Sequence, residues 1–481
     1  MTMRLARALA ALTVPGALMT PLAAQATNAM NMDAYGAIAG GMGGASLAHE
    51  TGNSAVMNNP ATLGMRGPGQ DVFGLGYTLL APRVEARAPG TPRADESRGR
   101  WYHMPSLSLV RKQGRVSYGA AVMAQGGMGT DFRSDSLLFS RGQTLMGDMA
   151  PLSGQSIRSE LSLGRVMFPL AFEVNDRVSL AVQLDYVWAG LDLQMDLDGA
   201  TFGRMARPGG TPGLGSAQGS MVEGFNTLLG NGTIQDVSYT RFDFSNDDRF
   251  TGEASANGLA GKLGVLLQLT DRLAVGATYH SETHLDDLTS GDARLAFGAD
   301  FGAGFQDVLV TGRIRVRDFQ WPESFGLGMA YRASERLLLA ADLRHLNWSE
   351  AMEGLEMTFT ADVSSANGAF AGTRLDAELE QRWEDQTVIS VGAAYRLNDR
   401  WTLRGGTNYA TNPIPNETVN PLFPAIVQHH LSGGFSYRFT PRSQLHASAT
   451  YAPQVRVTQS ATGVEMRHSQ TVWRVNYGHR F

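Results

Sequence analysis

The amino-acid sequence predicts an all-β protein, a 14-stranded antiparallel transmembrane β-barrel with an N-terminal plug, or hatch, inside its lumen. Three observations lead there. Apolar residues alternate with small or polar ones over long runs, the period of a strand with one greasy and one wet face. Short polar breaks recur, most of them entering a fresh run at once, while the connections between them are long. Near the amino end lies a stretch too small, too polar and too irregular to be wall.

The alternation is cleanest in Val178, Leu180, Val182, Leu184, Tyr186 and Trp188, interleaved with Ser179, Ala181, Gln183 and Asp185. It returns at Leu273 to Tyr279, Trp401 to Tyr409, Leu445 to Tyr451 and Trp473 to Phe481. Aromatics gather at the ends of these runs, as they do in the girdles that mark the two membrane interfaces of a barrel. The expected strands lie near 69–85, 98–112, 115–126, 156–174, 177–198, 237–269, 272–285, 307–332, 336–359, 382–397, 400–410, 425–439, 443–459 and 465–481.

The tight breaks are Lys112-Gln113-Gly114-Arg115, Asn175-Asp176-Arg177, Thr270-Asp271-Arg272, Ser334-Glu335-Arg336, Asn398-Asp399-Arg400 and Thr440-Pro441-Arg442-Ser443. Residues of these types supply turn geometry and cap their own backbone. Six such turns at one rim, with both chain ends at that rim, give the expected fourteen strands. The other rim carries long Gly-, Pro- and Asp-rich connections, Gly126 to Gly154, Gly199 to Asp236 and Ala410 to Pro424. That asymmetry belongs to bacterial outer-membrane barrels, in which closure satisfies every backbone group while lipid covers the outside. A soluble sheet of this size would need a second layer, and no helical segment is long enough to supply one.

Ahead of the runs, residues 1–26 read as a secretory signal: Arg4 and Arg7, an apolar stretch, then Ala24-Gln25-Ala26. Residues 27–68 are assigned to the plug and 69–481 to the barrel with long extracellular loops. Within GGMGGASLAHETGNSAVMNNPATLG, from Gly40 to Gly64, the glycines and alanines let backbone approach another surface closely. Asn53 is placed to cap a short turn over Ser54 to Met57. Pro60 pushes Asn59 out of helical geometry, so an extended Asn59-Pro60-Ala61 step is expected.

The 481 residues are 43% hydrophobic and 18% charged, with 56 glycines and a net charge of -5, which leaves no basic footprint for nucleic acid. The absence of cysteine excludes disulfides and thiolate metal sites and suits passage through an oxidising periplasm. No run of 18 apolar residues follows the signal, so helical membrane spans are not expected. The ending Tyr477-Gly478-His479-Arg480-Phe481 resembles the signal read by the barrel-assembly machinery of the outer membrane.

Enzyme signatures are missing: there is no G-x-S-x-G elbow, phosphate-binding loop or H-E-x-x-H. The chain is therefore read as a non-enzyme without cofactor or metal, the alternative being an outer-membrane lipid hydrolase. His280, Glu282, His284 and Asp286 alternate along one run and would share a face, but two-residue spacing on a strand is wide for a tetrahedral metal site, and a hydrated barrel mouth fits them better. His429 and His430 would point to opposite faces as strand-entry residues. By parity with Leu343 and Leu403, Asp342, Arg344 and Arg404 point into the lumen. There an arginine either holds a carboxylate of the cargo or is neutralised by lumen acids such as Asp185 and Asp342. Met221, Val222, Phe225, Leu228 and Leu229 fall on one face of a short loop helix that has no core of its own to join, so the stripe would cover the barrel mouth or catch an apolar ligand.

Taken together, the segments resemble the FadL-type family of outer-membrane transporters for long-chain fatty acids and other hydrophobic compounds. The resemblance rests on the plug with Asn59-Pro60-Ala61, on MPSLSLV from Met104, WPESFGLGMAYRASERLLLAADLRHLNWS from Trp321, EDQTVISVGAAYRLNDRWTLRGG from Glu384 and NPIPNETVNPLFP from Asn412. It implies a hatch step at Asn59, Pro60 and Ala61 and a capture groove that includes the Met221 to Leu229 stripe. It also implies sideways release through a kink in the third strand near Gln125, Gly126 and Gly127, with passive diffusion and no catalysis. The partners implied are a hydrophobic ligand, either a fatty acid or an aromatic or alkane hydrocarbon, and the lipid and lipopolysaccharide of a Gram-negative outer membrane. A monomer that binds no nucleic acid is expected.

Overall fold

The computed structural model describes residues 28–67, 71–246 and 252–481; the signal assigned to residues 1–26 lies outside them. An antiparallel wall closes on itself. Val72–Arg87 pairs with Tyr102–Gln113 on one side and Glu465–Arg480 on the other. From Tyr102–Gln113 the pairing passes through Val116–Phe132, Ile157–Asn175, Val178–Asp198, Ala254–Gln268 and Leu273–His280. It continues through Ser324–Arg332, Leu337–Leu346, Gln386–Arg396, Trp401–Ala410, His429–Arg438 and Ser443–Thr458, and returns to Glu465–Arg480. Closure leaves this wall no free edge, the condition a sheet must meet to stand in hydrocarbon. Among the described residues, no helix is long and apolar enough to cross a membrane.

The turns sit where composition placed them. Gln113 pairs with Val116 and Asn175 with Val178, and the Thr270 to Leu273, Ser334 to Leu337 and Thr440 to Ser443 turns each close with backbone hydrogen bonds of 3.2 to 3.4 Å. Val72 pairs with both Val110 and Arg480, so the final strand returns to this same near rim. Outward-facing Leu75, Leu107, Phe168, Leu170, Leu184, Leu263, Leu327, Leu343, Val391, Leu403, Leu431 and Trp473 stand exposed around the circuit, a continuous apolar belt.

The strand count departs from expectation. The closed circuit traced above passes through fourteen strands, but among the described residues the sheet as a whole holds 22, because the far-rim connections fold as strands continuous with the wall. The 237–269 run is two strands, Asp236–Phe244 and Ala254–Gln268. The 307–332 run is Phe305–Arg317 and Ser324–Arg332, broken next to Asp318, whose φ of 51° no strand accommodates. The 336–359 run is Leu337–Leu346 and Gly354–Ala361, parted by the helical turn Trp348–Ala351. Leu288–Asp300 and Arg374–Glu380, with the short pieces Asp95–Glu96, Gly215–Gln218 and His284–Leu285, complete the addition.

These extra strands carry a core of their own. Phe225 lies 4.2 Å from Phe297 and 4.9 Å from Phe370 between ring centroids, and Trp348 sits 5.4 Å from Trp321 and 5.2 Å from Trp383. The helix Ser220–Gly230 therefore has a core to join, contrary to the sequence reading: Met221, Val222 and Phe225 are buried in it, and Leu228 and Leu229 pack against it. Its apolar stripe is a packed face, not an open groove, because phenylalanine rings from separate segments fill the space it faces.

Candidate functional site

Inside the wall, Asn28 to Arg66 is buried almost throughout and meets lumen-facing groups from many strands. Small wall residues make room for it. A Cβ on Gly276 would collide with the Leu47 carbonyl, and one on Gly392 with the Met42 backbone; Gly43 itself turns at a left-handed φ of 67° against Thr407.

Charged lumen residues then tie it down. Asp342, 4% exposed where Leu343 beside it is 48% exposed, accepts from the backbone N–H groups of Ser46 at 2.7 Å and Leu47 at 3.1 Å. Arg344 donates to Gly44 O at 3.1 Å, to Ser46 Oγ at 2.6 Å and to Asp342 at 3.1 Å. Arg404 faces inward too, beneath Gly41, and donates to Ser436 Oγ at 2.5 Å. Both arginines point inward as parity required, and both are engaged, Arg344 by a lumen acid and by the enclosed segment. Lys262 holds the Met57 carbonyl at 2.6 Å and Lys112 the Gly64 carbonyl at 2.6 Å. Buried Asp33 pairs with buried Arg474 of the last strand. Burial alone would raise the Asp33 carboxyl, but Arg474 and His430 outweigh it and hold the group below the ordinary carboxylate value.

Asn59 is extended, φ -136° and ψ 105°, and Pro60 opens a 3-10 helix, Pro60–Met65. The Asn59 carboxamide accepts from Ala61 N at 3.0 Å and donates to Leu47 O at 2.7 Å and Val265 O at 3.1 Å. One side chain thus joins the cap, the segment and the wall. Asn53 makes no cap. The turn Gly52–Val56 begins two residues before the expected start at Ser54, and the Asn53 carboxamide donates instead to Val72 O at 3.0 Å and Ser108 Oγ at 2.9 Å.

The wall is interrupted at one flank. Tyr102–Gln113 and Val116–Phe132 pair only from Gln113↔Val116 to Leu107↔Val122, and beyond that the two strands part. Pro105, which has no N–H to give a ladder, lies just past the last pair. On its other side Val116–Phe132 shifts register between Ala124 and Gly126. Gln125, Gly126 and Gly127 sit at this bulge, and the enclosed segment closes on them: Tyr35 Oη donates to Gln125 O at 2.6 Å, Gly127 N donates to Met30 O at 3.0 Å, and Asn31 bridges to Gly126.

Beside the bulge lies a cavity of about 330 Å³. Met30, Met32, Met104, Met123, Leu161, Leu163 and Trp188 give it a mainly apolar lining. Val122, 37% exposed on the outer surface, lines it together with Met123, which is buried on the inner side, so the space passes through the wall. Sequence reasoning found the glycines at the bulge but none of this lining; a methionine-rich surface had no periodicity to announce it, and Trp188 read as ordinary membrane-facing wall.

The His280, Glu282, His284 and Asp286 run does not converge. The strand ends at His280, whose Nε2 lies 3.2 Å from Asp185 and 3.1 Å from Arg165, and Thr283 bridges to Trp321. Among the described residues no three His, Asp or Glu side chains gather as a metal set. His430 is buried and His429 half-buried at the start of their strand, on opposite faces.

A closed apolar-belted barrel, an enclosed amino-terminal segment and an apolar space that runs through the wall define the class, an outer-membrane channel-type β-barrel. Comparison with known proteins agrees. The fold superposes on the crystal structure of the Pseudomonas putida toluene transporter TodX with a TM-score of 0.78 at 28% identity, covering 93% of this chain and 99% of that one. It superposes on the Ralstonia pickettii toluene transporter TbuX with a TM-score of 0.72 at 29% identity, over 93% and 99% of the two chains. Outer membrane protein P1 of Haemophilus influenzae is 19% identical over 201 residues, 41% of this chain and 39% of that protein. The chain spans about half or less of the length of the curated relatives it matches. Residues 16–477 match the family described as outer membrane protein transport protein (OMPP1/FadL/TodX), and the chain belongs to that family.

Proposed function

We propose that this chain carries small hydrophobic compounds, aromatic hydrocarbons foremost, passively across the outer membrane and releases them sideways through the opening between Tyr102–Gln113 and Val116–Phe132. The observation that carries the reading is the cavity of about 330 Å³ whose lining includes both inward- and outward-facing residues of the same strand. It is roughly twice the size of the ~150 Å³ apolar cavity that binds benzene in a small protein. A hydrophobic solute gains about 0.8 kcal/mol per buried CH₂ along such a path, whereas a polar solute gains nothing. The Asn28 to Arg66 segment, anchored at Asn59, Pro60 and Ala61 and by Arg344, and packed over Arg404, is the hatch that keeps polar solutes out, within a plug assigned to residues 27–68.

Two points favour an aromatic cargo over a fatty acid. Of the two lumen arginines that would hold a fatty carboxylate, Arg344 is taken up by Asp342 and the hatch, and Arg404 is bonded to Ser436. TodX and TbuX are described as toluene transporters. The far-rim layer, with the Met221 to Leu229 face packed inside it, frames the entry rather than supplying an open groove. The chain acts as a monomer, inserted by the barrel-assembly machinery among lipid and lipopolysaccharide, and catalyses no reaction.

Uptake of radiolabelled toluene and oleate by cells with and without the gene tests this. Faster toluene entry with the gene is expected; equal toluene rates would overturn the reading, and acceleration of oleate alone would return the cargo to fatty acids.

A further inference from the structure

The cavity that runs through the wall has a mainly apolar lining, with one buried polar group that stands apart. His468 of Glu465–Arg480 lines it and is 2% exposed. Its Nδ1 lies 2.9 Å from the Pro424 carbonyl of the loop above. A carbonyl oxygen can only accept, so Nδ1 carries the hydrogen, and in the neutral ring Nε2 is left as a bare acceptor. That atom is buried without a hydrogen-bond partner.

Four other polar side chains around the cavity have partners. Tyr102 Oη donates to Gly129 O at 3.2 Å, Glu160 accepts from Arg158 at 2.9 Å, Asn31 accepts from Trp321 Nε1 at 3.1 Å, and His103 pairs with Tyr77. Of the lining side chains, among the described residues, His468 alone holds a fully buried polar atom with no partner. Gln470 follows on the same face of the strand and lines the same space, its carboxamide close to the ring but making no hydrogen bond to Nε2. An unmade hydrogen bond in an apolar surround carries a penalty that a ligand donor removes.

We infer that His468 Nε2, with Gln470 beside it, is a hydrogen-bond acceptor site for cargo, and that the cavity selects hydrophobic compounds bearing one hydroxyl, such as alkylphenols, over hydrocarbons of the same shape. The inference rests on the cavity being the cargo site, as proposed above. p-Cresol and p-xylene differ only in a hydroxyl for a methyl and are the natural probes. A donor at Nε2 restores the missing bond, and Gln470 offers the hydroxyl oxygen an N–H in return; p-xylene leaves both unanswered.

Calorimetric titration of the full-length protein, purified from outer membranes, measures both affinities relative to each compound's own partition into hydrocarbon. On that scale the wild type is expected to bind p-cresol about tenfold tighter than p-xylene. His468→Phe is expected to erase the difference while still binding p-xylene, and His468→Gln, which keeps an acceptor, to retain it. Equal corrected affinities in the wild type, or a preference that survives in His468→Phe, would overturn the inference while leaving the cavity as a hydrocarbon site. Failure of the wild type to bind either compound would remove the cavity as a cargo site, and this inference with it.

Discussion

Asp33 and Arg474 are the ends of a buried ion pair that fastens the enclosed segment to the final strand. Removing one partner of such a pair leaves the other charge buried and alone, which costs about 3 kcal/mol. Asp33→Asn is therefore expected to lower resistance to urea in micelles by about that amount and to expose the segment to protease. The pH dependence follows from the lowered carboxyl. Its stabilising contribution is complete above the unfolded value of about 3.8 and is lost as pH falls through the still lower folded value. Protease sensitivity of the segment in the wild type should thus rise only in strong acid, and in the Asn variant it should be independent of pH across that window. Single residues were legible in the sequence where local rules govern them. Pro60 forces Asn59 into extended backbone, and strict alternation turns Asp342 and Arg344 inward. Asn53 was not, because its partners Val72 and Ser108 come from the wall and outcompete the local cap.

The far-rim layer shows the same division among whole elements. The helix Ser220–Gly230 was visible from its spacing, but what its apolar face meets was not: Phe202, Phe297 and Phe370 arrive from segments up to about 150 residues away in sequence, with nothing local to link them. Long runs likewise hid breaks such as Asp318, since a change of direction leaves the alternation of side chains intact. Phe225→Ala removes the ring at the centre of this cluster and should destabilise the layer by about 3 kcal/mol. Limited proteolysis is expected to cut the Gly199 to Asp236 connection faster in the variant while the wall stays resistant; unchanged cleavage would mean that the helix is held by something other than these rings.

For the molecule as a whole, alternation and tight turns revealed a closed barrel because hydrocarbon on one side and a packed lumen on the other impose a period of two on every strand. The interruption in the wall is different. It arises from a register shift, a proline and two glycines that matter only in combination with Met30 and Asn31 of the enclosed segment. The proposed sideways release requires that interruption to be the route. Deleting Gln125 takes the extra residue out of Val116–Phe132 and allows regular pairing across the bulge. Uptake of labelled toluene by cells producing equal amounts of assembled wild-type and deleted protein is the most direct measurement: the deletion is expected to lower it to the rate of cells without the gene, and undiminished uptake would rule this route out.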